Sequence, residues 1–216
     1  MANKVAISTL PFEFNNLCDK FNELKDCGVD YVHCDIMDGH YVNNKTFTTK
    51  DLADICECFS LPLDVHFMAL EPLKDIELLK NVAYITIHYE IFKNNEELIS
   101  ATDYIKSLGF KAGICVDLNT DVAKIEDLLS HIDLVLIMSV KAGAGGQAFN
   151  NSAVAKIKFC DEYRKKNTLN FKIEVDGGIN DKNVEDCVLA GADIVVSGSF
   201  VANANDKIKA VEMLKK

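Results

Sequence analysis

The stretch Tyr31–Asp38, with the sequence YVHCDIMD, decides how the chain is interpreted. Its β-branched, aromatic and apolar residues are typical of a buried strand, and a long amphipathic run follows it. The same alternation continues along the chain and predicts eight strands. These are Val5–Leu10, Tyr31–Asp38, Leu63–Ala69, Tyr84–Glu90, Lys111–Leu118, Leu134–Val140, Lys172–Gly177 and Ile194–Ser199.

Helical patterns, with apolar residues three and four positions apart, lie between the predicted strands. The predicted helices are Asn15–Cys27, Thr49–Phe59, Pro72–Asn81, Asn95–Leu108, Asp121–His131, Ser152–Asn167, Lys182–Ala190 and Asp206–Lys215. Strands that alternate with helices form parallel βαβ units. Eight such units in 216 residues, without a change in composition, favour an α/β fold with a single (β/α)8 barrel domain over residues 1–216. An open, doubly wound sheet is the alternative.

The overall charge narrows the classes of partner. With 23 basic and 33 acidic residues the net charge is -10, which disfavours nucleic acid or an anionic membrane surface as the main partner. No apolar run approaches the roughly 18 residues of a membrane span. Because the first residues lead directly into a strand-like segment, we expect no secretory signal and a cytoplasmic location.

The chain contains eight cysteines, but their spacing does not indicate a disulfide scaffold. No Cys-x-x-Cys pair is present, and Cys56 and Cys58 would diverge on a helix. We therefore expect all of the cysteines to be reduced, and to act as small buried apolar residues.

Side chains of the metal-ligand type recur on one face of neighbouring strands. Residues two apart on a strand share a face, so His33 lies beside Asp35, and Asp64 beside His66. Asp176 ends a third strand. Barrel active sites lie at the carboxyl ends of the strands, so we expect the two histidines, Asp35 and Asp176 to meet at one mouth. Two imidazoles and two carboxylates suit one divalent cation such as Zn²⁺, Fe²⁺, Mn²⁺ or Co²⁺.

His88 and Glu90 belong to the same mouth. Either residue could be an outer partner of the metal ligands, and a purely structural role is the alternative. Met37, Met68 and Met138 lie near strand ends on the inward side, where they are core filling or a water-excluding lining around the metal.

Glycines follow the last three predicted strands. Gly177–Gly178 and Gly198–Ser199 come after the seventh and eighth strands, where barrels often bind phosphate through backbone N–H groups. Simple turns are the alternative for each pair. The segment Gly143–Gln147 follows the sixth strand and suggests a mobile flap over the mouth, with an idle loop as the alternative.

Taken together, these segments resemble the ribulose-phosphate 3-epimerase family. The matching segments are His33–Gly39, Asp64–Met68, Ile85–Glu90, Met138–Val140, Gly145–Gln147, Val175–Ile179 and Gly198–Ser199. The resemblance implies a barrel that binds one divalent metal, and it implies Asp35 and Asp176 as the catalytic acid and base. The implied metal ligands are His33, Asp35, His66 and Asp176. The implied substrate contacts are Ser8, Met37, His66, Met68, Met138, Gly145, Gly146 and Gln147, with Gly177, Gly178, Gly198 and Ser199 around the phosphate.

The reaction implied is the interconversion of ribulose 5-phosphate and xylulose 5-phosphate. One carboxyl group removes the proton at C3, the other returns a proton on the opposite face, and the metal stabilises the enediolate between the two steps. The resemblance also implies a homo-oligomer.

Three mouth loops depart from the family pattern. They are Val42–Asn44, Leu118–Thr120 and Ala142–Gln147, which lack the proline or aromatic residue usual there. An epimerase of a hexulose 6-phosphate such as allulose 6-phosphate therefore remains an alternative substrate class. A lyase or synthase is a further alternative that needs a lysine near a strand end, for which Lys141 is the nearest candidate. A catalytically silent sugar-phosphate binding protein is the last alternative.

Overall fold

The structure, a computed structural model, describes residues 2–216. Eight parallel strands form a closed barrel in which each strand pairs with its sequence neighbours and β8 pairs with β1. The predicted barrel is confirmed, and the open sheet is wrong because neither terminal strand has a free edge. The strands are β1 Lys4–Ser8, β2 Tyr31–Met37, β3 Leu63–Met68, β4 Val82–His88, β5 Lys111–Val116, β6 Leu134–Met138, β7 Lys172–Asp176 and β8 Ile194–Ser197.

Helices and helical turns connect the strands. The α-helices are α1 Leu17–Lys25, α2 Thr49–Ile55, α3 Asn95–Ser107, α4 Ser152–Lys166, α5 Val184–Ala190, α6 Ser199–Ala202 and α7 Lys207–Leu214. The 3-10 segments are Phe14–Asn16, Cys56–Cys58, Ile76–Leu78, Tyr89–Ile91 and Val122–Leu128. The short helix α6 was not predicted, because four residues are too few for an amphipathic period.

The predicted helix over Pro72–Asn81 is wrong. Only Ile76–Leu78 is helical, as one 3-10 turn. Asp75 and Asn81 adopt left-handed backbone conformations, with φ of 61° and 57°, and these interrupt a right-handed helix on both sides of the turn. The predicted helix over Asp121–His131 is a 3-10 segment as well, although its apolar residues are buried as expected.

The strands present two faces to two different apolar layers. On β7, Ile173 and Val175 face outward and join the layer between the barrel and the helices. Glu174 and Asp176 alternate with them and face inward. Gly113 also faces the interior, where an added Cβ would collide with the Thr86 hydroxyl. The interior is therefore crowded and partly polar, and the main hydrophobic core lies outside the barrel wall.

One cysteine pair contradicts the prediction that all thiols are free. Cys18 in α1 forms a disulfide with Cys58, which ends the 3-10 turn after α2. Their Cα atoms are 5.7 Å apart. The sequence hid this pair because the cysteines are 40 positions apart and become neighbours only when consecutive helices pack together. The other six cysteines are free, and all but Cys27 are buried.

Aspartates fix the amino ends of the strands. Asp30 accepts a hydrogen bond from the Val5 N–H at 3.0 Å, and Asp193 accepts one from the Ile173 N–H at 2.9 Å. Arg164, the single arginine of the chain, donates to Asp193 and, at 2.9 Å, to Asp161. These charged contacts stabilise the end of the barrel opposite to the predicted mouth.

No helix within residues 2–216 has both the length and the apolar character that crossing a membrane requires.

Candidate active site

The four predicted metal-ligand residues meet at the carboxyl ends of the strands. His33 and Asp35 come from β2, His66 from β3 and Asp176 from β7. One potential ligand atom of each lies within 4.8 Å of the others. In the paired strands Asp35 lies directly opposite His66, which aligns their side chains on the inner face. The parity argument therefore placed these side chains correctly.

Asp35 is the centre of the group. Its Oδ1 atom lies 3.2 Å from Nδ1 of His66 and 3.4 Å from Nε2 of His33. Its Oδ2 atom accepts a hydrogen bond from the Ser8 hydroxyl at 2.7 Å. Ser8 thus orients the carboxylate, and Asp35 itself is almost fully buried.

Each imidazole presents one nitrogen to this centre and the other to an outer partner. Nδ1 of His33 lies 2.5 Å from Oδ2 of Asp64. Nε2 of His66 lies 2.9 Å from Nε2 of His88. Sequence reasoning placed Asp64 on the shared face with His66 but gave it no role. The signal that could have found it was the same two-residue spacing that found the ligands.

The pKa values of Asp35 and Asp176 are shifted in opposite directions. Burial works against the charge of Asp35, but the charge of His33 and the close contacts with the rings of His33 and His66 outweigh it and hold the pKa of Asp35 well below its usual range. Burial raises the pKa of Asp176 to about 7, with the charges of Asp35 and Asp64 adding to the rise and His33 opposing it. Asp35 therefore stays ionised at neutral pH, whereas Asp176 gains a proton near pH 7 when no metal is bound.

The histidines differ in the same way. Burial opposes the charge of His33, but the carboxylates of Asp35 and Asp64 outweigh it and raise the pKa of His33 well above its usual value. Burial lowers the pKa of His66 to about 4. His66 is therefore neutral near pH 7 and offers a lone pair without losing a proton.

The arrangement fits a divalent cation. Nε2 of His33 is buried and has no hydrogen-bond partner, although it points toward the carboxylate of Asp35. Unpaired buried polar atoms are costly, and a cation among two imidazoles and two carboxylates would satisfy this nitrogen. Two neighbouring groups have similar chemistry: one joins His33 to Asp64 and Glu174, the other joins His66 to His88 and Cys115.

A cavity of about 540 Å³ opens above this group. Most of the predicted site residues line it, whereas the two predicted histidine ligands, His33 and His66, are fully buried and do not. The predicted residues in its lining are Ser8, Asp35, Met37, Met68, Met138, Gly145, Gly146, Gln147, Asp176, Gly177, Gly178, Gly198 and Ser199. The three methionines are at most 2% exposed, so they give the cavity an apolar floor.

Gly178 allows two loops to approach each other. It has a φ of +62°, and an added Cβ would lie 2.6 Å from the backbone nitrogen of Phe149 and 2.7 Å from the carbonyl oxygen of Gln147. Gly198 precedes α6 and faces Pro11, whose Cγ would lie 3.3 Å from an added Cβ. Both glycine pairs predicted for phosphate line the cavity.

Two of the three loops that depart from the family pattern, Val42–Asn44 and Ala142–Gln147, touch each other. The Asn44 side-chain amide donates to the carbonyl of Gly143 at 2.7 Å. The Gln147 amide donates to the carbonyls of Lys141 and Ala144 at 2.8 and 2.7 Å. Lys141 is exposed and lines the rim of the cavity. These contacts hold the glycine-rich loop in place without the missing proline and aromatic residue.

Comparison of the chain with known proteins identifies its family. Residues 4–202 match the Ribulose-phosphate 3 epimerase family. The chain belongs to this family. It is 36% identical to the ribulose-phosphate 3-epimerase of Helicobacter pylori over 98% of this chain and 96% of that protein. It is also 36% identical to the ribulose-phosphate 3-epimerase of Bacillus subtilis, over 98% of both chains. The resemblance stated from the sequence is therefore confirmed, and so is membership of an isomerase family.

More distant structures share the barrel. A 3-hexulose-6-phosphate synthase superposes with a TM-score of 0.70 at 12% identity, covering 98% of this chain and 97% of that one. A thiamine phosphate pyrophosphorylase from Pyrococcus furiosus superposes with a TM-score of 0.61 at 16% identity, covering 98% and 93%. At such identities the likeness shows the fold alone.

Proposed function

We propose that this member of the epimerase family interconverts ribulose 5-phosphate and xylulose 5-phosphate in a metal-dependent reaction. The observation that carries the proposal is the meeting of two histidines and two aspartates beneath a cavity of the size a small ligand needs. Family membership supports a sugar phosphate as the substrate. The proposed ligands are His33, Asp35, His66 and Asp176, and the metal is Zn²⁺, Fe²⁺, Mn²⁺ or Co²⁺.

We propose Asp35 and Asp176 as the catalytic pair. They come from β2 and β7 and both line the cavity, so each can carry a proton on its own side of a bound sugar. The bound metal would polarise the carbonyl of the sugar and stabilise the negative charge that develops on its oxygens. Ser8 holds Asp35 in place by its hydrogen bond, and Met37, Met68 and Met138 keep water from the reacting carbon.

The two glycine pairs that line the cavity are assigned to the phosphate end of the substrate. We propose that backbone N–H groups of Gly177, Gly178, Gly198 and Ser199 bind the phosphate, and that Gly145, Gly146 and Gln147 cover the sugar. Binding energy at this remote end orients the reacting carbon.

The wider setting is also proposed. Residues 1–216 act as one domain, and the family resemblance supports a homo-oligomer. The five buried free cysteines support the cytoplasm, although the paired Cys18 and Cys58 narrow that support.

Solvent exchange tests the mechanism. In deuterated water the wild-type enzyme should place deuterium at C3, and a chelator should abolish exchange until Zn²⁺, Fe²⁺, Mn²⁺ or Co²⁺ is restored. Asp35→Asn and Asp176→Asn should each reduce turnover by orders of magnitude, because each removes one proton carrier. Asp181→Asn is the matched control, since it removes a carboxylate from the loop after β7 outside the cavity lining. Full activity of the metal-free protein, or normal exchange in both site variants, would contradict the proposal.

The substrate class has its own test. Pentulose 5-phosphates should react faster than hexulose 6-phosphates, with product stereochemistry read by NMR. The reverse preference would assign the chain to the hexulose alternative, which its altered mouth loops keep open. Sugar binding without turnover by the metal-loaded protein would indicate the silent binding protein.

A further inference from the structure

His88 lies behind His66 on the side away from the proposed metal. It ends β4 and is fully buried. The two rings stack with centroids 5.0 Å apart and an interplanar angle of 24°. Their Nε2 atoms are 2.9 Å apart, which is a hydrogen-bond distance. Two imidazole nitrogens can bond only when one carries a proton and the other does not.

The proposed metal site decides which nitrogen carries that proton. Nδ1 of His66 faces Asp35 at 3.2 Å, so this nitrogen must be bare to bind a cation at the shared centre. The proton of neutral His66 is then on Nε2 and is donated to Nε2 of His88. His88 consequently holds its own proton on Nδ1, where Oε2 of Glu90 accepts it at 3.1 Å.

Glu90 is itself fixed. Its Oε1 atom accepts a hydrogen bond from the backbone N–H of Asp117 at 2.9 Å. The Tyr41 hydroxyl lies 3.0 Å from Nδ1 of His88 and covers the pair from the solvent side. The chain of contacts therefore runs in one direction, from His66 through His88 to Glu90 and then to the backbone.

We propose that His88 and Glu90 are positioning residues that fix the tautomer and ring orientation of His66 for the metal. Metal-binding histidines commonly donate a hydrogen bond from the N–H of their second ring nitrogen to a carboxylate or carbonyl. Such outer partners tune the affinity for the metal. On the opposite ligand, Asp64 makes the equivalent contact with His33 directly. The relay rests on the proposed metal site and assigns roles that the proton-transfer mechanism does not use.

The main competing explanation is a second metal held by His66, His88 and Cys115. Two nitrogens bound to one tetrahedral metal at about 2.0–2.1 Å would be roughly 3.3 Å apart. The observed 2.9 Å is shorter and fits a hydrogen bond instead. The relay therefore predicts one metal per chain.

Nuclear magnetic resonance of the zinc-loaded protein, with ¹⁵N-labelled histidine, tests the tautomers directly. The chain has only five histidines, so the ring nitrogens can be assigned individually. We expect a proton on Nε2 of His66 and on Nδ1 of His88. A proton on Nε2 of His88 would overturn the relay.

Metal affinity provides the second test, measured with Co²⁺ through its visible absorption. His88→Phe keeps the stacked ring but removes the acceptor, so its affinity should fall about 10- to 100-fold. His88→Gln places an amide oxygen near the position of Nε2 and should recover most of the loss. Glu90→Leu should also weaken binding. Thr86→Val is the matched control on the same strand, because its buried hydroxyl has no hydrogen-bond partner, and it should bind like wild type.

The outcomes separate the two proposals. No metal binding by wild type would overturn the proposed metal site and the relay together. Wild-type binding with equal affinity in a folded His88→Phe variant would overturn the relay alone. Two bound metals that fall to one in His88→Phe would replace the relay with the second metal site.

Discussion

A single methyl group at Gly178 should impair catalysis beyond its effect on stability. Gly178 has a φ of +62°, and an alanine Cβ would lie 2.6 Å from the backbone nitrogen of Phe149. Ordinary contact begins at 3.4 Å, so the loop that carries Gln147 must move by about 0.8 Å. A misplacement near 1 Å in an active site can cost about a hundredfold in rate, which corresponds to about 2.7 kcal/mol of transition-state stabilisation.

The substitution also has a conformational cost, which a second glycine measures separately. Gly109 has a φ of +89° with nothing within 4 Å of an added Cβ, and it follows α3 away from the cavity. Gly109→Ala should lower the free energy of unfolding by about 1–2 kcal/mol, because its backbone is left-handed, and Gly178→Ala should lower it by at least as much, because the collision adds to that cost. Only Gly178→Ala should lose the further hundredfold in kcat/KM.

The assay is kcat/KM for ribulose 5-phosphate in a coupled reaction, alongside urea unfolding of each variant. If Gly178→Ala keeps kcat/KM within about twofold of Gly109→Ala, the close approach of the two loops has no catalytic role and the reasoning fails.

Three further predictions concern metal affinity, thiols and the base of the barrel. Asp176, with a pKa of about 7, and His33, whose pKa is raised, both hold protons below pH 7, and the metal must displace those protons to bind. As the pH is lowered, the Co²⁺ affinity measured by calorimetry should fall about tenfold per pH unit above pH 7 and up to a hundredfold per pH unit below it. An affinity that does not change with pH would contradict this. Unreduced, denatured protein should show six reactive thiols rather than eight, and cleaving the Cys18–Cys58 bond should lower the free energy of unfolding by about 4 kcal/mol; eight thiols before reduction would show that the bond is absent. Arg164→Lys should lower the free energy of unfolding by about 3 kcal/mol and leave kcat/KM within twofold, since it loses a forked contact far from the mouth; an equal loss in catalysis would contradict the separation of the two ends.

The strands and the inward-facing positions of the candidate ligands could be predicted because both depend on local spacing. A buried strand must be apolar, and its side chains alternate, so YVHCDIMD determined both the strand and the neighbouring placement of His33 and Asp35. The two candidate ligands from other strands, His66 and Asp176, followed once the strands were taken to close around one axis.

The remaining features depend on contacts that no local pattern reveals. The failed helix before Asn81 reflects two residues in left-handed conformations, which a periodicity argument cannot detect. The bond between Cys18 and Cys58 requires knowledge of how consecutive helices pack. His88 was noticed at the mouth, but its direction of hydrogen bonding depends on which nitrogen of His66 faces Asp35.

The aspartates at the amino ends of the strands have a consequence for how this protein can change. Asp30 and Asp193 anchor backbone N–H groups at one pole, while the loops around Asn44 and Gln147 shape the other. Exchange of the mouth loops can therefore change the substrate preference while the contacts that stabilise the other end of the barrel stay the same. Grafting both mouth loops together, as one touching pair, should transfer selectivity between relatives better than grafting either alone.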